Sequence, residues 1–334
     1  MIISRTPFRI SFFGGGSDYP AWYRKYGGSV LGTTIDKYCY ISLRYLPPFF
    51  DYKHRVVYSK VETVNEIDEF QHPAVRGVLK TMGIQEGLEV HHDGDLPARS
   101  GLGSSSSFTV GLVHAIKALQ GEFISKRDLA NMAVHIEQDI LKENVGSQDQ
   151  IMTAMGGFNL IEFRTDDTYD VTPIILTKDR IEDLQQHMML FFTGFTRIAS
   201  DIAKKQIENL EKKKKEIDSM QMMVREGMRI LQGNGDMAKN FGGLLHEYWK
   251  YKRAIADNVS NPAIDQIYNS AQEAGAYGGK LLGAGGGGFM LILAPHDAHE
   301  KIREKLRHLT CVSFRFDFTG SKIVIYEPDN FQQH

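Results

Sequence analysis

The segment Pro97 to Ser107, PARSGLGSSSS, constrains this chain more than any other. It leaves a predicted strand at Leu88 to His91 and enters a helical pattern in which Phe108, Leu112, Ala115, Ile116 and Leu119 share one face. Gly101 and Gly103 let the backbone turn tightly and approach a ligand, and the serines can cap a helix whose free N–H groups and dipole attract an anion. Read alone, the loop is either a phosphate cradle built without a Walker lysine or a glycine-serine turn that only caps its helix.

The rest of the chain supplies an α+β layout. Short strands are expected at Arg9 to Phe13, Tyr38 to Tyr45, Arg55 to Ser59, Leu88 to His91 and Gly157 to Arg164, with a second helix at Leu129 to Leu141. An irregular stretch from Arg164 to Asp183 precedes a strand at Met188 to Gly194 and a mostly helical half. We therefore place a boundary near residue 180, with domains over 1–180 and 181–334. The second half closes with a helix at Ala298 to Leu309 and strands at Val312 to Phe316 and Ile323 to Tyr326. The lysine run Lys212 to Lys215 reads as a solvated helix face.

Composition narrows the partners. With 334 residues, 42% hydrophobic and 24% charged, and a net charge of -2, the chain has the profile of a soluble globular protein with no nucleic-acid or membrane partner. Cys39 and Cys311 stand far apart, so neither a disulfide framework nor a cysteine-rich zinc site is expected. The N-terminal MIISRTPFRISFFGGG carries no signal-peptide pattern, and no apolar run reaches the ~18 residues of a membrane span, so a cytoplasmic location is expected.

Three further segments can carry chemistry. In TPFRISFFGGGSDYP, Gly14 to Gly16 remove side chains where a ligand could approach, and Asp18 offers a carboxylate to hydroxyl donors; the same letters also describe an Asx-capped turn. Glu137 sits at the edge of a buried helix face, where a carboxylate needs either an arginine or a cation such as Mg²⁺, which takes a few protein oxygens alongside phosphate. Beyond it, Asp149 in VGSQDQ could orient or deprotonate a hydroxyl, or cap a helix. Finally, Gly283 to Gly288 separate two strand-like segments, which suggests close backbone packing or a ligand-approached loop.

Taken in order, Pro7-x-Arg9 with Gly14 to Asp18, Pro97 to Ser105, and Gly283 to Gly288 resemble the three motifs of the GHMP kinase superfamily. The resemblance spans nearly the whole chain and implies a two-domain fold, an N-terminal α/β domain and a ferredoxin-like C-terminal domain with added helices. It implies ATP as cosubstrate, bound by Pro97, Ser100, Gly101, Leu102, Gly103, Ser104, Ser105 and Ser106. It further implies Mg²⁺ held by Ser105 and Glu137, and a catalytic Asp149 paired with Arg9. A sugar would meet Gly15, Gly16, Ser17 and Asp18, with Arg197, Gly285 and Gly286.

The form FRISFFGGGSDYP is similar to the branch holding heptose 7-phosphate kinases and bacterial fucokinases, in which the anomeric hydroxyl accepts the phosphoryl group. That implies a D-glycero-D-manno-heptose 7-phosphate kinase forming the 1,7-bisphosphate, for nucleotide-activated heptose. A phosphorylated acceptor needs a local cationic pocket, for which Arg24, Lys25, Arg99 and Arg197, helped by Thr196, are candidates. A kinase for an unphosphorylated sugar such as fucose would share the ATP site without that pocket. A noncatalytic sensor on the same scaffold would be expected to lose the carboxylates that are present here.

Overall fold

The computed structural model describes residues 1–194 and 199–327. Among them, thirteen strands and eleven α-helices are arranged on two sheets.

The first half runs β1 (Ile2–Phe13), α1 (Pro20–Tyr26), β2 (Gly28–Tyr45), β3 (His54–Val57), β4 (Val61–Val64), α2 (Pro73–Thr81), β5 (Leu88–Gly94), α3 (Ser104–Leu119), α4 (Lys126–His135), α5 (Gln148–Met155), β6 (Phe158–Phe163), β7 (Tyr169–Pro173) and α6 (Lys178–Gln186). The second runs β8 (Met188–Phe192), α7 (Ala199–Asn209), α8 (Lys214–Gln232), α9 (Met237–Ile255), α10 (Pro262–Glu273), β9 (Gly278–Leu281), β10 (Phe289–Leu293), α11 (His296–Lys305), β11 (Thr310–Val312), β12 (Phe316–Asp317) and β13 (Lys322–Tyr326).

The larger sheet has the order β13-β1-β2-β5-β3-β4, with β12 and β6 also pairing β2, and β7 pairing β6. The long β1 is buried along nearly its whole length because it carries aromatic and β-branched residues on both faces. Pro7, which cannot donate to a ladder, falls where the β1–β2 register shifts between Pro7 and Phe8. Helix α3 is buried on almost every side, which fits its nearly continuous apolar and small residues. Gly111 lets α3 close on β1, since a Cβ there would meet Thr6 Oγ1 at 3.1 Å.

The smaller sheet, β11-β8-β10-β9, is fully antiparallel. Helix α9 joins the two halves: Phe241 packs edge-on against Phe12 at 5.3 Å, and Tyr248 against Phe13 at 5.4 Å. A cleft opens between the halves beside these contacts.

Several elements depart from the sequence reading. The stretch expected to be irregular contains β7 and α6. The expected helix through Leu141 gives way after His135 to a π-turn over Ile136–Ile140, closed by Leu141 N to Ile136 O at 2.9 Å. The strand expected over Val312 to Phe316 is divided between β11 and β12. Both β12 and β13 return to the larger sheet, so a cut at residue 180 separates them from the strands they pair with. In the lysine run, Lys214 pairs with Asp218 at 2.7 Å and lies over the Tyr26 ring at 4.7 Å.

Candidate active site

The centre of the cleft is an ion pair between residues 140 apart in sequence. Arg9, buried on β1, donates from Nε and Nη2 to the two oxygens of Asp149, at 2.7 and 2.6 Å. Its Nη1 donates to Gly101 O at 2.6 Å, so one guanidinium ties the catalytic candidate to the cradle loop. Asp149 lies in the first turn of α5, where Ser147 occupies the N-cap position, so its carboxylate is directed to Arg9 rather than used as a cap.

The cradle loop turns at Gly101 and Gly103, with φ of 83° and 74°. A Cβ on Gly101 would lie 2.5 Å from Leu282 O. Gly103 is the N-cap of α3, and the first intrahelical bond runs from Ser107 N to its carbonyl at 2.8 Å. The amides of Ser104, Ser105 and Ser106 precede that bond, which leaves an N-terminus suited to an anion. The serines do not cap the helix: Ser104 Oγ accepts from Arg99 N at 3.1 Å.

Asp18 lines the same cleft, against Gly146. It accepts from Gly16 N at 2.9 Å and is buried, and burial together with the Asp149 charge raises its pKa above the usual carboxylate range. Gly146 is required beside it, because a Cβ there would overlap the Asp18 carboxylate.

Glu137 lies behind the cradle, almost fully buried in the π-turn. Its Oε2 accepts from Ser106 Oγ at 2.9 Å and from Gln150 Nε2; its Oε1 is buried with no hydrogen bond of good geometry, and the Thr109 side chain lies close enough to favour the ionised form. Burial pushes its pKa up to about 7. A buried carboxylate oxygen without a well-formed hydrogen bond, beside serine hydroxyls, is a donor set that fits a hard divalent ion. The hydroxyl beside Glu137 is that of Ser106, whereas Ser105 is exposed at the cleft. No group of three or more His, Cys, Asp or Glu suited to a metal occurs among the described residues.

The sequence profile for the N-terminal domain of GHMP kinases matches residues 69–157, and that for the C-terminal domain matches residues 228–309. The chain belongs to the GHMP kinases.

Within this family it is 29% identical to a D-glycero-alpha-D-manno-heptose 7-phosphate kinase of Campylobacter jejuni, over 95% of this chain and 96% of that one. It is 27% identical to the bifunctional fucokinase/GDP-fucose pyrophosphorylase of Arabidopsis thaliana, over 91% of this chain and 30% of that protein. The fold superposes on the crystal structure of a D-glycero-D-manno-heptose 1-phosphate kinase from Bacteriodes thetaiotaomicron with a TM-score of 0.77 and 22% identity, covering 98% of this chain and 100% of that one. The GHMP chain is thus a sugar kinase in the company of ATP-dependent enzymes, and no helix among its described residues is long and apolar enough to cross a membrane.

The structure brings together Arg9, Gly15, Gly16, Asp18, Gly101, Gly103, Ser104, Ser105, Ser106 and Asp149 on the cleft wall. Other candidates fall elsewhere. Ser17 is turned into the fold, donating to Gly14 O at 2.8 Å. Leu102 is core, and Pro97 is exposed away from the cleft lining. The Ser100 carbonyl accepts from Phe289 N at 3.1 Å. Gly285 and Gly286 do not line the cleft: a Cβ on Gly285 would collide with the Val259 backbone, and Gly286 N donates to Val259 O at 2.9 Å. Arg24 and Lys25 are paired at the surface with Asp167 and Glu211. Arg99 lines the cleft, while Thr196 and Arg197 lie outside the described residues.

Two further lysines line the cleft. Lys252 on α9 donates to Leu281 O and Gly283 O at 2.8 and 2.5 Å, and Lys280 on β9 to Ser11 O and Phe12 O at 2.8 Å each. Burial, with the Arg9 charge nearby, holds Lys252 down at about 7, and burial with Lys252 and Arg9 pushes Lys280 well below the usual lysine range. Lys280 was readable as a charge inside the apolar run of β9 and its neighbours, whereas Lys252 sits in a basic stretch that looks like a helix surface.

Proposed function

We propose that this sugar kinase transfers the γ-phosphoryl group of ATP to the anomeric hydroxyl of D-glycero-D-manno-heptose 7-phosphate, giving the 1,7-bisphosphate. The observation that carries the reading is the bidentate Arg9–Asp149 pair joined to the cradle through Gly101, with a second buried carboxylate, Asp18, lining the same cleft. Similarity across 95% of the chain to a heptose 7-phosphate kinase supports the choice of acceptor.

The chemistry follows from charge and position. The amides at the start of α3 receive the nucleotide phosphates. Asp149 accepts the hydrogen bond of the incoming hydroxyl and points its oxygen toward the phosphorus, and Arg9 fixes the carboxylate while facing the charge that develops on the transferred group. A loose transition state requires little deprotonation before attack, so orientation supplies most of what Asp149 gives. Asp18 and the Gly15–Gly16 backbone hold the remaining sugar hydroxyls. Mg²⁺, when bound, would be held by Glu137 with the serine hydroxyls of the cradle and would neutralise phosphate charge.

ADP release should be measured with Mg²⁺ and ATP on heptose 7-phosphate, free heptose, fucose and galactose, beside Asp149→Asn. Turnover on the heptose phosphate, abolished in the variant and accompanied by loss of the sugar's reducing end, is the expected result. Turnover confined to free sugars would overturn the acceptor, and retention of a reducing end would overturn the anomeric position.

A further inference from the structure

Two buried lysines of the cleft are held by backbone carbonyls and not by carboxylates. Arg9 is matched by Asp149, and the buried Asp18 carboxylate acts on Lys280 through its charge, but among the described residues neither Lys252 nor Lys280 forms an ion pair. Each ammonium has three donors, and the structure gives each two backbone carbonyls. Both lysines line the cleft and are at most 7% exposed. Burial and the neighbouring positive charges disfavour the charged form of both lysines, and an anion bound between them would restore it. A second observation lies beside them: Ser11 Oγ, on a residue 6% exposed in the cleft wall, is buried without a hydrogen-bond partner.

We propose that Lys280, Lys252 and the Ser11 hydroxyl form a second phosphate-binding site, distinct from the cradle, that takes the phosphate already carried by the acceptor. This rests on the reading of the protein as a kinase for a phosphorylated sugar. The geometry of β1 favours that source over the nucleotide. Arg9 and Ser11 are two residues apart on one strand and face the same cleft, so they stand about 7 Å apart along the strand. Arg9 marks the transfer end through Asp149, and Ser11 with Lys280 marks a point one sugar ring away. An acceptor that reacts at one end and is phosphorylated at the other fits between them. The π face of Tyr248, 4.4 Å from the Lys280 ammonium, holds that cation in place without neutralising it.

The test uses the whole protein, saturated with Mg²⁺ and a nonhydrolysable ATP analogue, titrated with inorganic phosphate by calorimetry. Wild type should bind phosphate with the nucleotide site filled, and Ser11→Ala and Lys252→Met should each weaken it at least tenfold. Ser11→Ala removes a hydroxyl with no structural bond, so it separates recognition from folding should a lysine variant prove unstable. In turnover, the same changes should raise KM for the phosphorylated acceptor while leaving KM for ATP within twofold. Competition between phosphate and the analogue would overturn the proposal by assigning the lysines to the transferred group, and equal affinities in wild type and variants would overturn it outright. Phosphate binding needs no turnover, so inactivity on heptose 7-phosphate with the site intact would reject the acceptor and leave the site standing.

Discussion

Glu137 gives a prediction whose size follows from its surroundings. The carboxylate is almost fully buried, and burial outweighs its Thr109, Gln150 and Ser106 contacts to raise the pKa from 4.5 to about 7. At about 1.4 kcal/mol for each tenfold change in proton affinity, that displacement corresponds to about 3 kcal/mol. The folded state holds the proton more tightly than the unfolded chain, so this stabilisation is complete below pH 4.5 and is lost as the pH rises through 7. Glu137→Gln keeps the shape and cannot ionise. Urea unfolding in EDTA at pH 5 and pH 8 should therefore show wild type losing about 2.5 kcal/mol relative to the variant across that interval. Adding Mg²⁺ and ATP at pH 8 should recover stability in wild type and much less in the variant, whose kcat should fall at least a hundredfold. Parallel pH profiles for the two proteins would refute the argument, because they would mean that the ionised carboxylate is already compensated within the fold.

Other expectations follow from single contacts. Arg9→Met removes both donors to Asp149 and the bond to Gly101 O, so kcat should drop by about 10² to 10⁴ with nucleotide binding retained, as rapid-quench and analogue titration would record. Gly146→Ala places a methyl on the Asp18 carboxylate, and the acceptor KM should rise about tenfold or more while KM for ATP stays put in steady-state kinetics. Lys252 is depressed to about 7, so the unfolded chain holds its proton more tightly; its stabilising contribution is present above pH 10.5 and lost as the pH falls through 7. Lys252→Met should remove that dependence from denaturation midpoints between pH 7 and 10.

What the sequence discloses and conceals here follows from the range of the interactions. The cradle's turn into a helix is legible because strand, glycine turn and helix are consecutive, whereas the pairing of Arg9 with Asp149, 140 residues apart, is implied only by the family resemblance, since VGSQDQ read alone also describes a helix cap. Strand partners are not local, and nothing in FRFDF or KIVIY states that β12 and β13 cross back to the first sheet. The glycines show the limit most clearly. Gly15 and Gly16 line the cleft, Gly283 lines it while packing with its would-be Cβ 2.5 Å from the Gly101 Cα, and Gly285 packs on Val259 away from it. A glycine that clears space for a ligand and one that clears space for another backbone satisfy the same steric demand, and the letters are identical. In this cleft the second kind serves the first. The turn after β9 must close on Ser100 and Gly101 to bring the carbonyls of Leu281 and Gly283 to Lys252, and a side chain at Gly283 or Gly101 would lift the lysine-bearing half away from the cradle.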